Sequence, residues 1–311
     1  MTRAWVFPGQ GAQVVGMAAD LAERFAVAKD TLAEADDALG FSISSLMAEG
    51  PMEQLTLTAN TQPAIVAHSV AVVRVLRQAG IDEPIAVAGH SLGEYSALVA
   101  AGALSLADAL RAVRARGQFM QEAVPAGVGA MAAVIGLDAA TVTQTCASLS
   151  RDDALVCAAN FNDPTQTVIA GHQAGVEAAM PALKEAGARR VLPLPVSAPF
   201  HCPLMAPVQK RLHDVLLNLE IADPAMPVVA NVDAQANRQG DRIQTLLVEQ
   251  VCAPVRWVEC VRSLRTSGAT ELLELGPGRA LAGMVRRIDK ELPTTSLGTA
   301  DQISAFLEGS S

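Results

Sequence analysis

The stretch 85-IAVAGHSLGEYSALVAAGAL-104 decides the fold. Its first five residues are small or apolar without alternation, as in a short strand covered on both faces. The next four, HSLG, leave no room for more than a sharp turn, and GEYSALVAAG continues as a helix. A buried strand, a tight turn and a helix in immediate succession mark an α/β fold. The turn also fits the pattern G-x-S-x-G, with Gly89 and Gly93 flanking Ser91. Such an elbow lifts a serine hydroxyl to a helix N-terminus, where the next backbone N–H, that of Leu92, can meet a developing oxyanion.

Working outward, 3-RAWVFP-8 reads as a second buried strand, running into the turn 9-GQGAQ-13. Helical patterns are expected over 18–39 and 63–80, the latter with Pro63 near its start and Gly80 at its end. From about residue 126 the rhythm changes. Strands at 129–136, 154–160, 166–171 and 190–196 alternate with helices at 138–150 and 173–187, in the order β-α-β-β-α-β. Asp138 is placed to cap the first of these helices, Pro181 counts against the continuity of the second, and the prolines of 190-RVLPLPV-196 suggest an edge strand. Residues 126–196 thus form a ferredoxin-like subdomain inserted into a large α/β domain of residues 1–125 and 197–311. In the large domain, helices are expected near 204–219, 241–254, 255–268 and 276–288, with strands at 227–232 and 270–276.

Composition narrows the function. Hydrophobic residues make up 50% of the 311 and charged residues 18%, which excludes general disorder. With 23 basic and 32 acidic side chains the net charge is −9, and aromatics are only 3%, so neither nucleic acid nor an anionic membrane is an expected partner. Cysteines 146, 157, 202, 252 and 260 form no C-x-x-C pair, and their odd number points to free thiols in a reducing compartment. No apolar run reaches the roughly 18 residues of a membrane span, so a cytoplasmic location is expected. The glycines at 9, 11 and 16 miss the dinucleotide spacing, no GK[ST] follows a glycine-rich loop, and no His, Cys or acidic cluster has zinc spacing. The 9–13 turn can instead lend a backbone N–H to an oxyanion.

A nucleophilic serine needs a base. His68 and His213 lie within helical patterns and His172 at a helix start, all with ordinary packing or surface roles. His90 adjoins Ser91, but consecutive side chains diverge, so it shapes a pocket. His201 lies in 197-SAPFHCP-203, where the chain re-enters the large domain and a cleft can form. Cys202 beside it reads as a small buried residue. Asp138, Asp152, Asp153, Asp163, Glu177 and Glu185 fall between serine and histidine in the chain, yet all belong to the insertion. An ordinary triad acid is therefore doubtful, and a neutral orienting group stays open. In the helix around 106–120, Arg111 and Arg114 face alike while Arg116 falls about 140° away. If Arg116 turns inward toward Ser91, the substrate carries a carboxylate.

Taken together, 7-FPGQGAQ-13, 61-TQPAI-65, 88-AGHSLGEYSAL-98, 114-RARGQFM-120, 159-ANFN-162, 197-SAPFHCPLM-205, 249-EQVCAPVRW-257 and 275-LGPGRALAG-283 resemble the malonyl-CoA:acyl-carrier-protein transacylase family, the acyltransferases of fatty-acid and polyketide synthesis. The resemblance spans nearly the whole chain in the family's order. It implies a hydrolase-like three-layer domain with a parallel sheet, carrying the ferredoxin-like insertion. It implies that Ser91 takes the malonyl group, that His201 is base and then acid, and that Gln250 orients His201 through a carbonyl. It implies an oxyanion hole from the N–H groups of Gln10 and Leu92, and Arg116 as the holder of the malonyl carboxylate. Phe200 resembles the malonyl-selecting pattern, whereas serine there goes with methylmalonyl; His90, Asn160 and Asn162 belong to the pocket. No permanently bound cofactor is implied: malonyl-CoA is substrate and CoA product of a ping-pong transfer. The implied partner is a transient one, a phosphopantetheinylated acyl carrier protein. An acidic carrier would need a local basic patch, either Lys184, Arg189 and Arg190 or Arg286 and Arg287. Two rivals share the residues: a serine hydrolase, distinguished by fast attack of water, and an inert interaction module, which would require a damaged site.

Overall fold

The computed structural model describes residues 2–125, 127–196 and 198–310. Its strands are β1 (Arg3–Phe7), β2 (Val87–Gly89), β3 (Gly129–Ile135), β4 (Val156–Asp163), β5 (Gln166–His172), β6 (Arg190–Pro193), β7 (Val228–Val229), β8 (Ala236–Asn237), β9 (Glu271–Leu275) and β10 (Thr294–Leu297). They make two sheets. One runs β10-β9-β1-β2-β7-β8, parallel except for β8; the other runs β4-β5-β3-β6 and is antiparallel throughout.

The apolar runs without alternation have a direct cause in the large sheet. Trp5 and Phe7 of β1, Val87 of β2 and Leu273 and Leu275 of β9 enter one hydrophobic cluster. Their neighbours Ala4, Val6, Ala88 and Leu272 enter another, on the opposite face. The first cluster includes helices Thr58–Gln78 and Leu106–Glu122; the second includes Trp257–Thr266 and Ala280–Ile288. Both faces are buried, so successive positions from Ala4 to Phe7 of β1 and along β2 are small or apolar without alternation.

Register sets the site's location. Phe7 pairs with Gly89, and Ala88 with Val229, so β1, β2 and β7 end side by side. The loops leaving their carboxyl ends carry Gln10, Ser91 and Asn231 into one crevice, the usual ligand position of an open α/β sheet. The small sheet is tied in through backbone. Val255 donates to the Ala159 carbonyl at 2.9 Å and accepts from Phe161 N–H at 2.9 Å, which brings β4 beside the crevice.

Several local expectations are met. The Asp138 side chain caps helix Ala139–Leu149, and β6 is an edge strand. Others need correction. The helix expected from Pro63 begins at Thr58, with Pro63 inside it. The Ala59 carbonyl, which a non-proline residue at 63 would have bonded, instead accepts from Arg114 at 2.8 Å. Helix Gln173–Glu185 forms where it was expected and continues through Pro181; Pro181 and Glu177, whose carbonyl the proline frees, are both exposed residues. The pattern over 18–39 is two helices, Ala19–Arg24 and Ala26–Leu39, split by extended Phe25. Strand β10 and helix Ala300–Ser310 lack a strong apolar run and were not expected. The expected subdomain boundaries, at residues 126 and 197, lie outside the described residues.

The elbow depends on glycine. A Cβ at Gly93 would lie 2.3 Å from the Phe7 carbonyl oxygen, and one at Gly89 would lie 1.9 Å from the Gly93 carbonyl carbon. These are backbone atoms of the central strands and the turn itself, so nothing flexible can yield. Gly93→Ala should therefore cost about 1–3 kcal/mol of stability, read from urea unfolding; an unchanged midpoint would contradict this packing.

Candidate active site

Ser91 has φ 53° and His201 φ 58°, both in the left-handed region that bulky or branched residues avoid. The serine backbone is clamped there by Asn231, whose Oδ1 accepts from the Ser91 N–H at 2.7 Å while its Nδ2 donates to the Gly89 carbonyl at 2.7 Å. One amide thus bridges both sides of the turn. The strained geometry points the Ser91 hydroxyl at His201, with Oγ and Nε2 2.7 Å apart.

The histidine's tautomer follows from its other nitrogen. His201 Nδ1 lies 2.9 Å from the backbone carbonyl of Gln250. A carbonyl only accepts, so Nδ1 carries the proton and Nε2 presents its lone pair to the serine. Gln250 is the last residue of helix Gly240–Gln250, whose final carbonyls have no intrahelical donor. The helix end therefore fixes the orientation and tautomer of the His201 ring, and its negative dipole end favours an imidazolium. Ser91 stands at the opposite kind of terminus, just before helix Gly93–Ala100.

Arg116 points inward and is 1% exposed. Its guanidinium donates to Gln62 Oε1 at 2.9 Å, Gln250 Oε1 at 2.9 Å and Ser91 Oγ at 3.1 Å. All three acceptors are neutral. Its Nε–H has no acceptor among the described residues. Burial lowers its pKa, against the favourable field of Tyr95 and Glu94. Gly117 makes this position possible, since its missing side chain lets the backbone of Thr58 and Ala59 approach where a Cβ would be 2.7 Å from a carbonyl. The other two arginines differ from expectation only in part. Arg111 is exposed, while Arg114 is half-buried over the Phe41 ring.

Around this centre, His90 turns away from Ser91. Its Nε2 meets Asn162 Oδ1 at 2.8 Å, and its ring tilts against Trp257 at 5.6 Å between centroids. Phe200 is buried beside His201. Asn160 is buried on β4, and among the described residues no side-chain hydrogen bond joins it to the centre. The N–H groups of Gln10 and Leu92 donate to no protein acceptor among the described residues. Cys202 is buried, with its thiol on the Pro199 carbonyl; contact with Cys157 and burial push its pKa well up, so it is no nucleophile. No described group of three or more His, Cys, Asp or Glu could hold a metal ion.

Chemically, a hydroxyl hydrogen-bonded to a neutral imidazole, a helix N-terminus and a buried guanidinium are groups that can support acyl transfer. Residues 4–300 match the model of the acyl transferase domain. The chain is 48% identical over 98% of both lengths to the malonyl CoA-acyl carrier protein transacylase of Escherichia coli strain K12. It is 45% identical to the transacylase of Bacillus subtilis strain 168, over 98% of this chain and 96% of that one. Among solved structures, an acyl carrier protein S-malonyltransferase from Vibrio cholerae superposes with a TM-score of 0.96 at 47% identity, covering 98% of this chain and 100% of that one. A malonyl-transacylase in complex with a type II polyketide-synthase acyl carrier protein superposes with a TM-score of 0.96 at 46% identity, covering 99% of this chain and 100% of that one. The chain belongs to the malonyl-CoA:acyl-carrier-protein transacylase family.

Three buried side chains of this transacylase-family site escaped the sequence reading: Gln62, Glu94 and Asn231. Gln62 and Glu94 lie inside the motifs quoted above, and Asn231 lies within the expected strand 227–232, but none has a residue type that announces chemistry. Of the two basic patches considered for the family's carrier, Lys184, Arg189 and Arg190 are exposed. Arg287 is engaged with Asp163 at 2.6 Å, while Arg286 shares a surface cavity of about 670 Å³ with Arg279 and Lys290.

Burial, then the positive charge of Arg116, holds the His201 pKa down at about 3, from an ordinary 6.5. Its neutral, basic form is the one the fold favours, and it is lost only as pH falls through the depressed value. The acid limb of kcat/KM, which reports the free enzyme, should therefore lie well below pH 6.5. A limb at or above 6.5 would contradict the buried, cation-flanked imidazole.

Proposed function

We propose that the chain transfers a malonyl group from malonyl-CoA to the phosphopantetheine thiol of an acyl carrier protein, through a malonyl ester on Ser91. The observation that carries this reading is the buried Arg116 guanidinium, 3.1 Å from Ser91 Oγ and held only by neutral groups. A cation kept unneutralised beside a nucleophile is a recognition element for an acyl group that ends in a carboxylate. The names of the relatives agree, and one structural neighbour holds an acyl carrier protein.

In the first half-reaction Ser91 Oγ attacks the thioester carbonyl as His201 Nε2 takes its proton. The oxyanion is met by the N–H groups of Leu92 and Gln10, one from each of the loops that end β1 and β2. The tetrahedral intermediate expels the CoA thiolate, which receives the proton from His201. In the second half, the carrier's pantetheine thiol gives its proton to His201 and attacks the ester, and Ser91 recovers its proton on leaving. The substrate carboxylate also tunes the base. Bound to Arg116, it offsets the repulsion that depresses His201, so the imidazole is a stronger base when the acyl group is in place.

The same reading extends to the surroundings. Phe200 beside His201 favours malonyl over methylmalonyl, a discrimination worth about 1–3 kcal/mol for one methyl; His90, Asn160 and Asn162 belong to the same pocket. The order β-α-β-β-α-β with sheet order β4-β5-β3-β6 supports a ferredoxin-like subdomain of residues 126–196, inserted into a hydrolase-like three-layer domain of residues 1–125 and 197–311. Five free cysteines suit a reducing cytoplasm, and no described helix is long and apolar enough to cross a membrane. No permanently bound cofactor enters the chemistry.

Single-turnover acylation by malonyl-, methylmalonyl- and acetyl-CoA tests the reading. Arg116→Ala should slow malonyl transfer at least roughly thirty-fold, the scale of a lost buried charge contact. It should change acetyl transfer far less, and wild type should take methylmalonyl more slowly than malonyl. Equal losses for malonyl and acetyl would contradict the assigned role of Arg116.

A further inference from the structure

Glu94 is a carboxylate buried to 1% exposure, three residues after the nucleophile in the first turn of helix Gly93–Ala100. None of the steps above uses it. One of its oxygens, Oε2, accepts from Gln250 Nε2 at 2.8 Å and from the Asn231 backbone N–H at 2.9 Å. Those two residues hold the reacting pair. Asn231 clamps the Ser91 backbone, and Gln250 holds the His201 ring through its carbonyl. A single carboxylate oxygen therefore joins the supports of nucleophile and base.

The Gln250 amide shows why the residue is an acid. Its Oε1 faces the Arg116 cation and its Nε2 faces the Glu94 carboxylate. An amide placed between a cation and an anion has one favoured orientation, because a flip would turn N–H toward guanidinium and oxygen toward carboxylate. Glu94 is also the carboxylate that acts electrostatically on Arg116, one amide removed from it. Asp233 adds a weaker field to Glu94 from the loop after β7, and Tyr95 and Cys260 are the further titratable groups in its field.

We propose that Glu94 is a positioning residue for acyl transfer. It locks the Gln250 amide, so that one glutamine holds Arg116 by its side chain and His201 by its backbone, and it supplies at one remove the negative charge that the histidine lacks by direct contact. This inference rests on the reading of Ser91, His201 and Arg116 given above. Two consequences separate charge from shape. Without the carboxylate charge, Arg116 attracts the malonyl carboxylate more strongly, while the imidazolium formed in the transition state loses support. With a shortened carboxylate the charge stays, but the contact with Gln250 is lost.

The test is steady-state transfer from malonyl-CoA to holo carrier protein at pH 8 by wild type, Glu94→Gln and Glu94→Asp, with active sites counted by the malonyl adduct. Burial pushes the Glu94 pKa up to about 7, so at pH 8 the carboxylate is mainly ionised. Glu94→Gln is expected to lower kcat per active site about tenfold and to lower KM for malonyl-CoA several-fold. Glu94→Asp is expected to lower kcat with KM near wild type. A merely structural residue would lower the count of active sites or the melting temperature while leaving kcat per active site and KM in place, and that result in both variants would overturn the proposal. Should Glu94→Gln not fold, Glu94→Asp decides alone: wild-type kcat per active site contradicts the proposal, and a reduced one with unchanged KM supports it. A wild type that forms no adduct would overturn the reading of the site itself, which an intact wild-type adduct with unaltered variants would not.

Discussion

The structure is organised around the cost of burying one guanidinium beside a serine. Arg116 sits in the low-dielectric interior with amide and hydroxyl oxygens for direct partners. A cation in such a place needs either a close counter-ion, which would quench it, or a shell of dipoles that leaves its charge available. The second arrangement is present. Gln62 comes from helix Thr58–Gln78, Gln250 from the end of helix Gly240–Gln250, and Ser91 from the elbow after β2. Three separate elements must converge for Arg116 to be tolerated, and the same convergence brings Ser91 and His201 together.

Ends of elements do most of the chemical work. Parallel strands β1, β2 and β7 finish together, so the loops that leave them share one crevice. A helix N-terminus lies under Ser91 and a helix C-terminal carbonyl lies against His201. The positive end suits an oxyanion and the negative end an imidazolium, so in the proposed transfer backbone dipoles would support both charges of the transition state. Under the proposed mechanism His201 would then serve as base without a directly bonded carboxylate. The acids between residues 138 and 185 remain in the small unit, where Asp163, for one, pairs with Arg287.

Much of this was legible in the sequence because strong local rules apply. The elbow needs two glycines at fixed spacing, and 89-GHSLG-93 supplies them; each would collide with backbone if it carried a side chain. Helical angles alone separated Arg116 from its neighbours. What escaped follows from long-range geometry. Asn231 is 140 residues from the N–H it clamps, and Gln250 is 156 from Glu94. Nothing in the periodicity around Asn231 or Glu94 signals a partner so distant. The reading of Pro63 as a helix start failed for a related reason: tertiary contacts decide whether a freed carbonyl matters, as when Arg114 takes the one at Ala59.

Intact-protein mass spectrometry tests the central claim most directly. The chain is exposed briefly to malonyl-CoA, then to holo carrier protein, with Ser91→Ala alongside. The account predicts one malonyl adduct on the wild type, absent from the Ser91 variant, whose mass passes to the carrier. An adduct that persists in Ser91→Ala, or one lost to water and never found on the carrier, would contradict it.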